Sequence, residues 1–222
     1  MADKPFRFGV VLAGCGVFDG AEIHEAVCTL LAISRAGAEA LCFAPDIPQA
    51  HVVNHLTGAE QGETRNVLVE AARIARGRIR DLATFDPAEV DALILPGGFG
   101  AAKNLCDFAF KGADCTVNAD VEAALRGMRA AGKPIGALCI APAILARLFG
   151  GEGVELTIGS DAGTAAALES LGAAHRTSGH GAVVVDRRLK IATSPCYMLD
   201  ASVAQIAEGA ENTVRALIDL AR

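Results

Sequence analysis

Tryptophan is absent from this 222-residue chain, tyrosine occurs once, and aromatic residues make up only 5% of it. So few rings cannot build the stacked platform that single-stranded nucleic acid requires. Nor is there a basic run or stripe: 20 Lys and Arg face 26 Asp and Glu, for a net charge of -6. That balance excludes nucleic acid and anionic membrane surfaces as partners. No apolar run is long enough to span a bilayer, and the opening Met1-Ala2-Asp3-Lys4-Pro5 has no apolar core of the secretory kind. A cytoplasmic protein is expected from these absences. The seven cysteines, at 15, 28, 42, 106, 115, 139 and 196, are odd in number and contain no C-x-x-C pair. Neither a disulfide framework nor a cysteine zinc site follows from that spacing, so reduced thiols are expected.

What is abundant is apolar: 52% of residues, enough for a full core in one domain over residues 1–222. Short apolar runs at 8–12, 40–43, 92–95, 135–138, 183–185 and 190–193 alternate with helical patterns at 22–36, 67–76, 120–131, 141–149, 164–171 and 202–221. Continuous apolar strands separated by helices predict a doubly wound α/β fold, a mostly parallel sheet with helices on both faces, flavodoxin-like. Gly37 and Gly132 stand where helix C-caps belong. The polar stretch 45–62 is longer than an ordinary connection in such a fold and invites a role as interface or lid.

Chemistry concentrates at Pro134-Ile135-Gly136-Ala137-Leu138-Cys139-Ile140-Ala141-Pro142, where an apolar strand runs into a cysteine and then a helix. A thiol on such a turn projects from the sheet, and the amides opening the helix favour thiolate, so Cys139 is the candidate nucleophile. A buried cysteine acting as a small hydrophobe is the plainer alternative, and it is the one expected for Cys28 and Cys42.

Three further segments carry candidate chemistry. Gly14-Cys15-Gly16-Val17-Phe18-Asp19-Gly20 lacks the third glycine of a dinucleotide fingerprint. Gly97-Gly98-Phe99-Gly100-Ala101-Ala102-Lys103-Asn104 departs from a phosphate loop at Ala102 and Asn104. Two glycines after a strand suit either a backbone amide aimed at an oxyanion or a tight turn capping a helix. His24-Glu25-Ala26-Val27-Cys28 nearly matches a zinc motif, but no third ligand is signalled. Glu25, at the start of the first helix and the same sheet edge as Cys139, is a candidate proton carrier. Glu22, on the same helical face, is the second candidate, and both acids also suit the helix dipole. Among the histidines, His180 between Gly179 and Gly181 is the one least tied to structure, and so the candidate base.

Taken together, the blocks Gly14-Cys15-Gly16-Val17-Phe18-Asp19-Gly20 through Glu25, Glu63-Thr64-Arg65-Asn66-Val67-Leu68, residues 95–105 and Cys139-Ile140-Ala141-Pro142 resemble the ElbB family over essentially the whole chain. That family is described as an isoprenoid-biosynthesis glyoxalase in the PfpI and deglycase superfamily, with a class I glutamine amidotransferase-like fold. The resemblance implies Cys139 as elbow nucleophile, Glu25 as the carboxylate bonded to its thiol, and the Gly98 and Ile140 amides as oxyanion donors. Counting back from Arg35-Ala36-Gly37 favours Glu25 over Glu22. Where many members of the superfamily carry a histidine, this chain reads Gly159-Ser160-Asp161, and the His-x-Glu pair of glutaminases is missing too.

The activity implied is a lyase of the glyoxalase III type, turning glyoxal or another small 2-oxoaldehyde plus water into glycolate or its homologue. It needs no cofactor and no metal, and a homodimer is expected. A non-enzymatic sensor with an oxidisable Cys139 is the alternative, and a small-amide hydrolase or deglycase a weaker one.

Overall fold

A computed structural model describes residues 4–222. Its elements run β1 (Arg7–Val11), α1 (Ile23–Arg35), β2 (Glu39–Ala44), α2 (Val67–Ile74), β3 (Ile79–Asp81), β4 (Ala92–Leu95), α3 (Phe99–Lys103), α4 (Phe108–Lys111) and α5 (Ala119–Ala130). There follow β5 (Ile135–Leu138), α6 (Pro142–Phe149), β6 (Glu155–Leu156), α7 (Ala162–Ser170), β7 (Ala174–His175), β8 (Val184–Asp186), β9 (Ile191–Ser194) and α8 (Val203–Ala221).

Seven strands form one sheet in the order β3-β2-β1-β4-β5-β9-β8, parallel throughout except where β8 meets β9. The central strands β4 and β5 are buried along their whole length, as their unbroken apolar sequences require when helices cover both faces of a parallel sheet. Helices α1 and α8 lie side by side, with α8 also against β4, β5 and β9, and α5 packs on β4 and β5. This is the doubly wound, amidotransferase-like architecture expected.

Local chemistry sets the boundaries of these helices. Glu22, Asn66, Asn118, Asp161 and Ser202 each accept a first-turn N–H as N-cap, opening α1, α2, α5, α7 and α8. Gly37 and Gly132 follow α1 and α5 at φ 70° and 66°, the left-handed conformation that a C-cap glycine supplies. Three features were not expected from the sequence: the charged three-residue β3, the short helices α3 and α4, and a separate two-stranded pairing of β6 with β7.

The 45–62 excursion is stapled down rather than loose. Val53 donates its N–H to Asp19 Oδ2 at 2.7 Å, the Phe18 N–H donates to His55 Nε2 at 3.1 Å, and Ala50 donates to Asn104 Oδ1 at 2.9 Å. Asn104 Nδ2 in turn donates to the carbonyls of Ala13 and Asp19, each at 2.9 Å. The side chain that replaces the magnesium-binding hydroxyl of a phosphate loop is therefore a strut joining three loops.

Strand order also fixes where a site can form. From β1 the chain steps outward to β2 and later returns to place β4 on the other side. Neighbouring connections there leave in opposite directions, which opens a crevice at the carboxyl ends of the strands. The 14–20 turn after β1, Gly97-Gly98 after β4 and Cys139 after β5 all reach this edge.

Candidate functional site

Cys139 follows directly on Leu138, the last residue of β5, and adopts φ 58°. For a residue with a Cβ this left-handed conformation costs about 1–2 kcal/mol, and it persists because the surroundings fix it. Part of that fixing is the hydrogen bond from its N–H to the Ser194 carbonyl at the end of β9, 2.9 Å long. The strained turn aims the side chain into the crevice, as the strand-to-helix pattern predicts.

Glu25 projects from α1 to the same point and is fully buried. Its Oε2 accepts the Gly97 N–H at 2.8 Å and its Oε1 the Tyr197 N–H at 3.1 Å, and the Cys139 thiol lies beside the carboxylate. Only glycine can occupy position 97. A Cβ there would lie 2.4 Å from Cys139 Cβ and 2.8 Å from Glu25 Oε2. Gly98, at φ 93°, is pinned equally hard, because a Cβ would meet the Glu22 nitrogen at 2.4 Å. With no side chain intervening, the Gly98 amide reaches the Cys139 sulfur, as does that of Ile140.

Burial dominates the electrostatics. It pushes the Glu25 carboxyl up to about 7, with the Glu22 charge adding to the rise, against the stabilising amides of Tyr197 and Gly97 and the Cys139 thiol. Burial also pushes the Cys139 thiol well above its ordinary value, the Glu25 charge adds to this, and the Gly98 and Ile140 amides oppose it. The expectation that the helix start would lower this thiol is thus corrected: loss of water outweighs the few amides that face the sulfur. Two adjacent buried groups that each resist ionisation keep both protons at low pH, and the first leaves as pH rises through about 7. When the remaining proton sits on Glu25, the charge opposing a thiolate is gone.

Glu22 lies beside this pair but turns to its own helix, with Oε2 accepting the Glu25 N–H at 2.7 Å. His180 is exposed in the turn before β8 and does not line the crevice. His24 Nδ1 instead meets the Tyr197 hydroxyl at 2.8 Å and lies 3.9 Å from Glu22 Oε1. Cys28 is buried with Leu138, Cys139 and Cys196 in a small apolar cluster. Among the described residues no three His, Cys, Asp or Glu side chains gather as a metal site would require. At Gly159-Ser160-Asp161, where the superfamily's histidine would fall, Asp161 caps α7 and Thr164 of that helix enters the crevice wall. Tyr197 was missed from the sequence, although its being the sole tyrosine, on a strand-to-helix connection, was a signal. Cys106 and Cys115 were likewise unpaired on paper, yet they lie close enough to influence one another's ionisation, and Cys106 Sγ donates to the Ala101 carbonyl at 3.3 Å.

The crevice encloses about 410 Å³ over Cys139, walled by Val17, Phe99, Phe108, Ile140 and Met198 with Glu22, Thr164 and Tyr197 as its polar edge. A wider cleft of about 600 Å³ lies far from the nucleophile, beside Lys4, Lys133 and Arg222. Its residues come from the amino-terminal ends of the strands, opposite the reactive edge.

No family model matches the chain. It is 48% identical to the human glutamine amidotransferase-like class 1 domain-containing protein 3, mitochondrial, over 96% of this chain and 83% of that protein. It is 46% identical to the rat ES1 protein homolog, mitochondrial, over 96% and 84% of the two chains. The chain belongs to the glutamine amidotransferase-like class 1 family. A solved relative of that family, the isoprenoid biosynthesis protein with amidotransferase-like domain from Ehrlichia chaffeensis, superposes at TM-score 0.89 with 34% identity, covering 96% of this chain and 99% of the other. Drosophila melanogaster DJ-1beta shares the fold at TM-score 0.55 and 19% identity, covering 98% and 96%.

The human and rat relatives are mitochondrial by name, as is the zebrafish ES1 protein at 34% identity over 86% of this chain and 77% of its own. This overturns the expectation of a cytoplasmic family member. That expectation rested on the absence of a secretory-type apolar core, a criterion blind to the amphipathic, arginine-rich leaders of mitochondrial import.

Proposed function

We propose that this protein is a cofactor-independent glyoxalase of the ElbB type, adding water across a small 2-oxoaldehyde to give the 2-hydroxy acid. The observation that carries the reading is the buried Glu25 carboxyl set beside the Cys139 side chain, with only Gly97 between them, and the Gly98 and Ile140 amides near the same sulfur. Starting with the remaining proton on Glu25, the Cys139 thiolate adds to the aldehyde carbon, and the oxyanion that forms lies against those two amides before taking the proton. Ionised Glu25 then removes the proton from the hemithioacetal carbon, giving an enediolate, and delivers it to the neighbouring carbon, while the hemithioacetal hydroxyl proton passes to that carbon's oxygen. The result is a thioester of the 2-hydroxy acid. Water hydrolyses it, releasing the acid and regenerating the thiol. No electron leaves the substrate, since one carbon is oxidised as its neighbour is reduced.

The test is incubation of the purified protein with glyoxal, without metal or glutathione, while glycolate is followed. Turnover is expected in the native protein and none in Cys139→Ala. Glu25→Gln, which keeps the shape, should lose about 10²- to 10⁴-fold in kcat, the usual worth of a positioned acid-base group. Stoichiometric oxidation of Cys139 by peroxide without any aldehyde turnover would overturn the reading in favour of a thiol sensor.

A further inference from the structure

Glyoxal has four heavy atoms, whereas the crevice over Cys139 has room for a far larger molecule. Its 410 Å³ corresponds to roughly fourteen water molecules at about 30 Å³ each, and falls within the range of pockets that enclose whole organic ligands. The wall is apolar around most of its perimeter: Val17 from the turn after β1, Phe99 from α3, Phe108 from α4, Ile140 from the elbow and Met198 from the loop before α8. No lysine, arginine or histidine lines it, and Glu22 supplies a carboxylate. An anionic substituent would lose its water there and gain no counter-charge. Phe99 stands 49% exposed at the wall, with the Lys103 ammonium 5.3 Å from its ring centroid outside the lining of the crevice.

We infer that the substrate of this site is a 2-oxoaldehyde bearing a neutral apolar group, an alkyl- or arylglyoxal, with its aldehyde at Cys139 and its substituent against Phe99, Phe108 and Met198. The inference rests on the glyoxalase reading for the chemistry and on the crevice alone for the substituent. A methyl group or hydrogen leaves that surface in contact with water. A chain of several methylenes replaces the water, and each methylene buried contributes a factor of about fourfold.

The experiment is a series of methyl-, propyl- and hexylglyoxal, whose reacting carbonyls are electronically alike, with a carboxylate-terminated analogue of the same length as the last. In parallel, Cys139 is alkylated with N-ethyl- and N-hexylmaleimide and the labelled site is read by peptide mass spectrometry. The kcat/KM should rise at least tenfold from methyl to hexyl and fall at least tenfold for the carboxylate, and the hexyl maleimide should label Cys139 faster than the ethyl. Phe108→Ala should flatten both series. A flat or falling series with methylglyoxal still turned over would overturn the inference and leave the glyoxalase reading standing. Absence of turnover with every aldehyde, alongside a maleimide series that still rises with chain length, would overturn the glyoxalase reading while retaining an apolar-ligand site. A flat maleimide series would remove that site as well.

Discussion

Glu25 is the residue on which most of the chemistry turns, and its environment makes a separate, thermodynamic prediction. Its carboxyl is raised from an ordinary 4.5 to about 7, so between those values the folded chain holds a proton that the unfolded chain has lost. Stability from this group is therefore fully present below pH 4.5 and is lost as pH rises through about 7. The shift corresponds to on the order of 3 kcal/mol. Glu25→Gln cannot ionise, so its stability relative to the native chain should improve by about that amount between pH 4.5 and 8, whatever the offset from its altered hydrogen bonds to Gly97 and Tyr197. Urea unfolding at a series of pH values measures the difference directly. A difference that stays constant with pH would mean that Glu25 ionises as an ordinary surface acid. Glu25 and Glu22 share a helical face, and the count back from Arg35-Ala36-Gly37 favours Glu25; the geometry agrees, since Glu22 turns its oxygen to the Glu25 amide at 2.7 Å and Glu25 lies beside the thiol. Tyr197, 172 residues away in sequence, supplies the second amide that holds Glu25, a relation no local pattern encodes.

At the scale of elements, the junction of β5 with α6 was legible because an apolar strand followed at once by Cys139, small residues and Pro142 leaves the chain little choice but a tight turn. The strain at that turn is measurable. In ordinary strand or helix interiors glycine is less stable than alanine by roughly 0.5–1 kcal/mol. At Cys139, with φ 58°, the order should reverse, so that Cys139→Gly unfolds at a higher urea concentration than Cys139→Ala by up to about 1 kcal/mol of stability. If alanine proves the more stable, the elbow relaxes when its sulfur is removed. The central strands and the caps were readable for the same reason as the elbow, since each is set by neighbours a few residues away. By contrast, β3 contains Arg80 and Asp81, and β6 and β7 are two residues each, too short for any periodicity. Helix α3, with the sequence Phe99-Gly100-Ala101-Ala102-Lys103, read as a glycine-rich turn. Its Gly100 packs directly on Gly20, where a Cβ would come within 2.5 Å of backbone, so the glycine serves a close approach within a helix.

Along α1 the whole molecule presents an apolar surface that its own core does not use. Helix α1 buries Glu25, Ala26, Cys28, Thr29, Ala32 and Ile33, yet Ile23, Val27 and Leu31 on its other side are 43%, 48% and 42% exposed. They are spaced four residues apart and so form a single ridge. A surface helix ordinarily turns polar residues outward, and an apolar ridge on one marks a contact. We propose that it is the seam of the homodimer expected from the family resemblance. Three side chains cover far less than the roughly 800 Å² per partner of a stable interface, so the contact must spread to neighbouring surface. The ridge shares its helix with His24 and Glu25, which places such a seam next to the reactive crevice. Sedimentation of the native chain at micromolar concentration should show a dimer, and Val27→Glu with Leu31→Lys should give a monomer whose circular dichroism is unchanged. A native monomer would remove the dimer altogether, and a dimer surviving both substitutions would move its seam off α1 and away from Glu25.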